Sequence, residues 1–180
     1  MKGFLFVVYA GVTIIILSTI YSFYALCFPF KYELFVNACA DKYYLESALI
    51  FSIIKAESGF NERAVSSVGA KGLMQVMEKT AEYIASIYGI SINETDYLFN
   101  AETNIELGCA YLNYLFKKFN NLGVVICAYN AGEGRVSEWL KTGILSNSNF
   151  SQIPYKETKD YYYKVLFNYN NYINRLKIRK

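Results

Sequence analysis

The amino-terminal segment is the feature that most limits how this chain can fold. Residues 3–29 contain no charged side chain, and three isoleucines and a leucine occupy residues 14–17 at their centre. A helix needs about 20 apolar residues to cross a bilayer, so the segment is long enough to span one. It is also longer than the roughly 7–15-residue apolar region of a cleavable signal peptide, and it lacks a small-residue cleavage ending. We predict an uncleaved signal anchor over residues 4–28.

The charges at the two ends of this segment predict its orientation. Lys2 and the amino terminus lie on one side and Lys31 on the other, which is a small bias toward an amino terminus inside the cell. Residues 1–30 would then form a single-pass helix in the cytoplasmic membrane. Residues 31–180 would form one domain on the outer, cell-wall side, and a domain of about 150 residues can bury its own core.

The composition excludes several kinds of chemistry. The chain contains no histidine, so Ser-His-Asp and Cys-His arrangements and imidazole-dependent metal sites are impossible. Carboxylates, hydroxyls, amides, lysines and thiols remain, and we expect neither a metal nor a cofactor. The net charge of +3 and the lack of a Lys/Arg stripe argue against nucleic-acid binding.

Apolar side chains at helical spacing predict a mainly α domain. Residues 58–77 are rich in glycine and serine and have little periodicity, which indicates an ordered loop or a short hairpin. A further turn is expected around Val136 and Trp139. The predicted helices cover residues 41–57, with Asp41 as N-cap, and residues 79–88, 102–119, 122–130 and 156–176.

Three of the four cysteines lie beyond the apolar segment. Cys109 and Cys127 occur inside apolar helical patterns, so we predict buried thiols that pack as small hydrophobic groups. A disulfide between Cys39 and one of these two residues stays open.

Glu57 is the first candidate catalytic residue. It ends the first predicted helix on the same side as Ile53 and Ile54. Apolar surroundings disfavour a charged carboxylate, so its pKa should rise. A carboxyl group that keeps its proton near neutral pH can protonate the leaving oxygen of a glycoside. An exposed glutamate at a helix end is the alternative interpretation.

Glu57 begins a series of ordered sequence blocks. These are ESGF at residues 57–60, GAKGLMQVM at 69–77, AYNAG at 128–132 and the pair ET at 157–158. With these blocks, residues 40–175 resemble the SLT-type lytic transglycosylase domain, a goose-lysozyme-like group of peptidoglycan-cleaving enzymes. The resemblance implies a lysozyme-like helical domain with a glycine-rich loop or hairpin insertion, here preceded by one transmembrane helix.

The resemblance also assigns roles to particular residues. It implies that Glu57 is the single catalytic acid/base. Some of the other positions also have a structural explanation: Ser66 can cap a turn, Gln75 can satisfy a loop backbone, and Met77 can fill the core. The residues that it implies for substrate binding are Ser66, Gln75, Met77, Tyr129, Asn130 and Glu157.

The activity that the resemblance implies is non-hydrolytic cleavage of the β-1,4 bond between N-acetylmuramic acid and N-acetylglucosamine, which leaves 1,6-anhydro ends. Two alternatives stay open: a hydrolytic muramidase in which a second carboxylate such as Glu62 positions water, and a catalytically silent peptidoglycan-binding module. The expected partners are peptidoglycan strands, the membrane and, as a hypothesis, a secretion or conjugation apparatus. Exo or endo cleavage and the stem-peptide preference stay open.

Overall fold

The computed structural model describes residues 2–92, 95–146 and 149–179. The chain divides into two compact units, Met1–Lys31 and Tyr32–Lys180. The first unit consists mainly of helix α1 (Lys2–Cys27). Its Tyr9–Cys27 portion is long and apolar enough to cross a membrane, as the sequence predicts.

The second unit is built from helices. Helices make up 70% of the structure, and no β-strand occurs among the described residues, which confirms the predicted mainly α fold. The helices are α2 (Glu33–Tyr43), α3 (Ser47–Glu57), α4 (Glu78–Tyr88), a 3₁₀ turn (Tyr97–Phe99), α5 (Ala101–Phe119), α6 (Leu122–Ala131), α7 (Glu133–Lys141) and α8 (Lys156–Ile178).

The predicted helix over residues 41–57 is wrong, because the chain breaks there between two helices. Asp41 lies inside α2 rather than capping a new helix. Tyr44 ends α2 in the left-handed conformation, at φ 54°, and the Leu45 N–H donates to the Ala40 carbonyl at 2.9 Å. This is a Schellman-type ending. Such endings usually carry glycine. Because a tyrosine occupies this position, the sequence pattern does not indicate that a helix ends here.

Helix α3 lies at the centre of the domain. Its residues 48–54 are all buried, as expected for a helix that is apolar on every side. Helix α8 packs along it, with the Phe51 and Tyr172 rings stacked at a centroid distance of 5.3 Å. Because neighbours hold α3 on all sides, the residue at its carboxyl end has a well-defined position.

The glycine-rich segment between α3 and α4 is an ordered loop, as predicted. Isolated antiparallel bridges join Lys71 to Val65 and to Val76. Gly72 has φ +78°, and a Cβ there would lie 2.2 Å from the Leu98 carbonyl oxygen and 2.3 Å from Asn104 Nδ2. Only glycine fits such a close approach. The loop is therefore pressed against the residues that precede and begin α5.

Candidate active site

The carboxyl end of α3 carries Glu57 to the edge of the core. Glu57 is its last residue and is half-buried. The next residue, Ser58, donates its hydroxyl proton to the Leu73 carbonyl at 2.7 Å. That bond joins the helix end to the glycine-rich loop, so the loop has a fixed position relative to the Glu57 carboxylate.

Burial has a strong effect on the acidity of Glu57. It raises the pKa of the carboxyl group to about 7, and the nearby negative charge of Glu157 raises it further, whereas Tyr161 and the Lys164 ammonium oppose the change. The loss of hydration dominates because a carboxylate in apolar surroundings has little water to stabilise its charge. The rise that the sequence predicts is therefore present.

Besides Glu157, two residues of α8 that the sequence analysis did not identify, Tyr161 and Lys164, act on Glu57. Tyr161 is 8% exposed, and among the described residues its hydroxyl has no hydrogen-bond partner of standard geometry. It still lies near enough to the Glu57 carboxylate to lower the pKa of that group. Lys164 Nζ donates to the Ala56 carbonyl at 2.5 Å. A tyrosine run on a helix indicates core packing, and only the packing of α8 on α3 reveals that one hydroxyl faces the acid.

A cleft of about 310 Å³ adjoins this region. Tyr129 connects it to the acid, because the Glu57 charge contributes to the raised pKa of its hydroxyl, after the main effect of burial. The Tyr129 hydroxyl donates to the Met74 carbonyl at 2.9 Å. Four of the predicted substrate-binding residues line the cleft: Gln75, Met77, Tyr129 and Asn130. Tyr111 and Thr80 also line it and were not predicted.

Ser66 and Glu157 lie outside the cleft lining, and the contacts of each predicted residue differ. Ser66 is not part of the cleft lining, and its Oγ accepts the Ala70 N–H at 2.9 Å within a turn. Gln75 lines the cleft but also donates its Nε2 to the Ala64 and Gly72 carbonyls at 3.0 and 2.9 Å. Met77 is 40% exposed, so it does not fill the core. Glu157 is exposed on the first turn of α8 and acts on Glu57 through its charge.

Asn104 of α5 stabilises the glycine-rich loop beside the candidate site, and the sequence analysis did not identify it. It is 1% exposed. Its Oδ1 accepts the Met74 N–H at 2.8 Å, and its Nδ2 donates to the Lys71 and Leu98 carbonyls at 3.0 and 2.8 Å. A signal for it exists in the sequence, since an asparagine four residues before Gly108 lies on the same helix face as a small residue.

The described part of the chain brings no group of three or more Cys, Asp or Glu side chains into an arrangement that could hold a metal ion. The groups that act on Glu57 are one carboxylate (Glu157), one phenol (Tyr161) and one ammonium (Lys164). Such a set is suited to proton transfer at a carboxyl group of raised pKa.

The helical domain, whose α3 ends in the half-buried Glu57, has a fold similar to the lysozyme-like fold of the 70-kDa soluble lytic transglycosylase of Escherichia coli, with a TM-score of 0.78 at 30% identity. Residues 35–150 match the family described as the transglycosylase SLT domain. The chain belongs to this family, which confirms the resemblance. It is 37% identical over 145 residues to the soluble lytic murein transglycosylase of Escherichia coli K12, covering 77% of this chain and 22% of that protein.

Further relatives give the same result. The membrane-bound lytic murein transglycosylase C of Serratia proteamaculans is 40% identical over 116 residues, which cover 59% of this chain and 32% of that protein. An inactive mutant of the lytic transglycosylase Slt from Pseudomonas aeruginosa superposes with a TM-score of 0.78 at 34% identity, covering 85% of this chain and 25% of that one. A complex of the 70-kDa soluble lytic transglycosylase with bulgecin A has a TM-score of 0.81 at 31% identity, and the match covers 88% of this chain and 26% of that one. The chain thus spans about a third or less of each relative.

Proposed function

We propose that this chain is a membrane-anchored peptidoglycan lytic transglycosylase with Glu57 as its single acid/base. The observation that carries the proposal is the pKa of about 7 of a half-buried carboxyl group next to a cleft lined by Tyr129. The relatives named lytic murein transglycosylases support it, as does the inactive Pseudomonas mutant, in which a glutamate is replaced by glutamine.

The first step needs a proton on Glu57. With a pKa of about 7, about half of the molecules carry this proton at neutral pH, whereas an ordinary glutamate would be almost fully ionised. Glu57 would donate it to the oxygen between N-acetylmuramic acid and N-acetylglucosamine while the C1–O bond breaks. The N-acetyl group of the substrate would stabilise the positive charge at C1.

The second step returns the proton to Glu57. The C6 hydroxyl of the muramic acid would attack C1 and release its proton to the Glu57 carboxylate, which closes the 1,6-anhydro ring without consuming water. Attack from within one molecule is favoured by an effective molarity on the order of 10⁵ M or more in well-oriented cases. The acid then regains the protonation state in which it began.

The surroundings of Glu57 favour this single-acid route over hydrolysis assisted by Glu62. Glu62 is exposed and accepts a hydrogen bond from the Tyr32 hydroxyl at 3.2 Å. The groups that change the pKa of Glu57 include Glu157 but not Glu62. We propose that Gln75, Met77, Tyr129 and Asn130 bind the glycan along the cleft, and that Ser66 and Glu157 shape the cleft from its margins.

The mass of the released fragments tests the reaction. The full chain, purified in detergent, is incubated with purified peptidoglycan beside its Glu57→Gln and Glu62→Gln variants. We expect fragments one water lighter than hydrolysis products from the wild type and from Glu62→Gln, and none from Glu57→Gln.

Other outcomes would identify the alternatives. Hydrated reducing ends that disappear in Glu62→Gln would indicate a hydrolytic muramidase. A folded wild type that binds peptidoglycan but releases nothing would indicate a binding module.

The proton on Glu57 also predicts how the rate depends on pH. Because the Tyr161 hydroxyl lowers the pKa of Glu57, Tyr161→Phe should raise this pKa. The general acid then keeps its proton at higher pH, so the alkaline limb of kcat/KM should move upward in pH. Tyr163→Phe is the matched control, since Tyr163 is 50% exposed on the same helix and should leave the profile unchanged. A limb that moves to lower pH in Tyr161→Phe would contradict the assignment.

We propose that α1 anchors the domain on the outer side of the cytoplasmic membrane, where peptidoglycan lies. The apolar Tyr9–Cys27 portion supports the anchor, and one relative is named a membrane-bound transglycosylase. An anchored enzyme can open the wall only near the membrane, which suits a role beside a secretion or conjugation apparatus. Protease added outside spheroplasts should digest residues 31–180, and protection of the domain would place it inside.

A further inference from the structure

Two cysteine thiols that do not line the candidate active-site cleft lie close to each other. Cys39 lies on α2 and Cys109 on α5. Hydrogen bonding with the Cys109 thiol is the main influence on the pKa of Cys39, which is lowered. Burial raises the pKa of Cys109. The two thiols are therefore within hydrogen-bonding reach of each other.

Contacts on both sides of this pair hold α2 against α5. The Tyr43 hydroxyl donates to Glu106 Oε1 at 3.3 Å, three residues before Cys109. The Asn113 Nδ2 donates to the Tyr43 carbonyl at 2.8 Å, four residues after it. These contacts fix the register of the two helices. The short distance between the two thiols therefore follows from how α2 packs on α5.

Solvent reaches the pair from the Cys39 side. A cleft of about 210 Å³ is lined by Cys39, Lys42 and Glu106, among others, whereas Cys109 is fully buried at 0% exposure. A thiol must be reached by the donor before it can attack in thiol–disulfide exchange, and Cys39, which lines this cleft, is 8% exposed. Cys39 is thus positioned to react first and Cys109 second.

We propose that Cys39 and Cys109 are a disulfide-forming pair that cross-links α2 to α5 when the domain meets an oxidised disulfide donor. The Cys39 thiolate attacks one sulfur of the donor disulfide, and the other donor sulfur leaves as a thiolate. The Cys109 sulfur then attacks the Cys39 sulfur of this mixed disulfide and displaces the second donor thiol, which takes up the Cys109 proton. In total, two electrons and two protons pass from the pair to the donor.

The bond would close a loop of about 70 residues, and cross-links over long loops restrict the unfolded chain most. It would also tie α2 to the helix that carries Asn104, which holds the glycine-rich loop. From the loop length and the size of the domain we expect the midpoint of thermal unfolding to rise by about 10 °C.

The test uses the full chain in detergent, with oxidised glutathione as the donor. Free thiols are alkylated after denaturation and counted by mass spectrometry, and unfolding is followed by the fluorescence of Trp139, the one tryptophan. Cys39→Ala removes the pair. Cys127→Ala is the matched control, because Cys127 is also a buried thiol, on α6.

The wild type and Cys127→Ala should each lose two alkylatable thiols, yield a peptide pair joining Cys39 to Cys109, and gain about 10 °C until a reductant is added. Cys39→Ala should gain nothing. The proposal is overturned if all thiols stay alkylatable, if glutathione remains attached to Cys39, or if Cys39→Ala shows the same gain.

Discussion

Replacing Glu57 with glutamine is expected to lower kcat on peptidoglycan by about 10³-fold or more, since general acid–base catalysis contributes about 10²–10⁴-fold and one residue serves here in both steps. Glutamine keeps the shape of the side chain but carries no transferable proton. The rate of release of soluble fragments measures the effect. Glu157→Gln is the control: it removes a neighbouring carboxylate without removing the acid, and we expect it to lose far less activity.

The same substitution should stabilise the fold at alkaline pH. The pKa of Glu57 is raised from 4.5 to about 7 in the folded chain, so the folded state binds more protons than the unfolded state between these values. The stability that Glu57 contributes is therefore present below about pH 4.5 and lost as the pH rises through 7. Glu57→Gln should exceed the wild type in free energy of unfolding by up to about 3 kcal/mol at about pH 9.

Urea unfolding followed by the fluorescence of Trp139 measures this difference. The variant and the wild type should be nearly equal at about pH 4, where Glu57 is mostly protonated in both states. A gain in stability together with a loss of activity is the expected behaviour of a residue that is selected for its chemistry. A variant that is less stable than the wild type at alkaline pH would contradict the raised pKa.

The second large effect is expected for Asn104→Ala. Three buried hydrogen bonds to Met74, Lys71 and Leu98 would be lost. Each buried group left without a partner costs about 1–3 kcal/mol, and the Lys71 carbonyl keeps its bond from the Val76 N–H. We therefore expect a loss of about 4 kcal/mol in the free energy of unfolding. The Met74 carbonyl that accepts the Tyr129 hydroxyl should shift with the loop, so the activity should fall as well.

Asn100→Ala is the matched control for this measurement. Asn100 is exposed and accepts one hydrogen bond, from the Thr103 N–H at 3.0 Å, as the N-cap of α5. Loss of such a cap costs about 1 kcal/mol. Equal losses from the two variants would show that Asn104 acts only through the helix and not through the loop it contacts.

Much of the candidate site follows from the linear order of residues. Glu57 ends an apolar helix, and a carboxyl group in that place is expected to be desolvated. Gln75, Met77, Tyr129 and Asn130 come from two sequence blocks, and all four line one cleft. Ser66 is the exception: it lies in a turn beside the loop, where the pattern does not distinguish a capping serine from a substrate-binding one.

The amino-acid sequence by itself determined the helical class, the apolar span and the place of Glu57, because helical periodicity and hydrophobicity are properties of short segments. Only the tertiary structure decided which side chains meet across those segments. Tyr161 and Lys164 reach the end of α3 from more than 100 residues away, and Cys39 meets Cys109 between α2 and α5. Such pairings depend on how whole helices pack against each other, and no local pattern encodes the register of that packing.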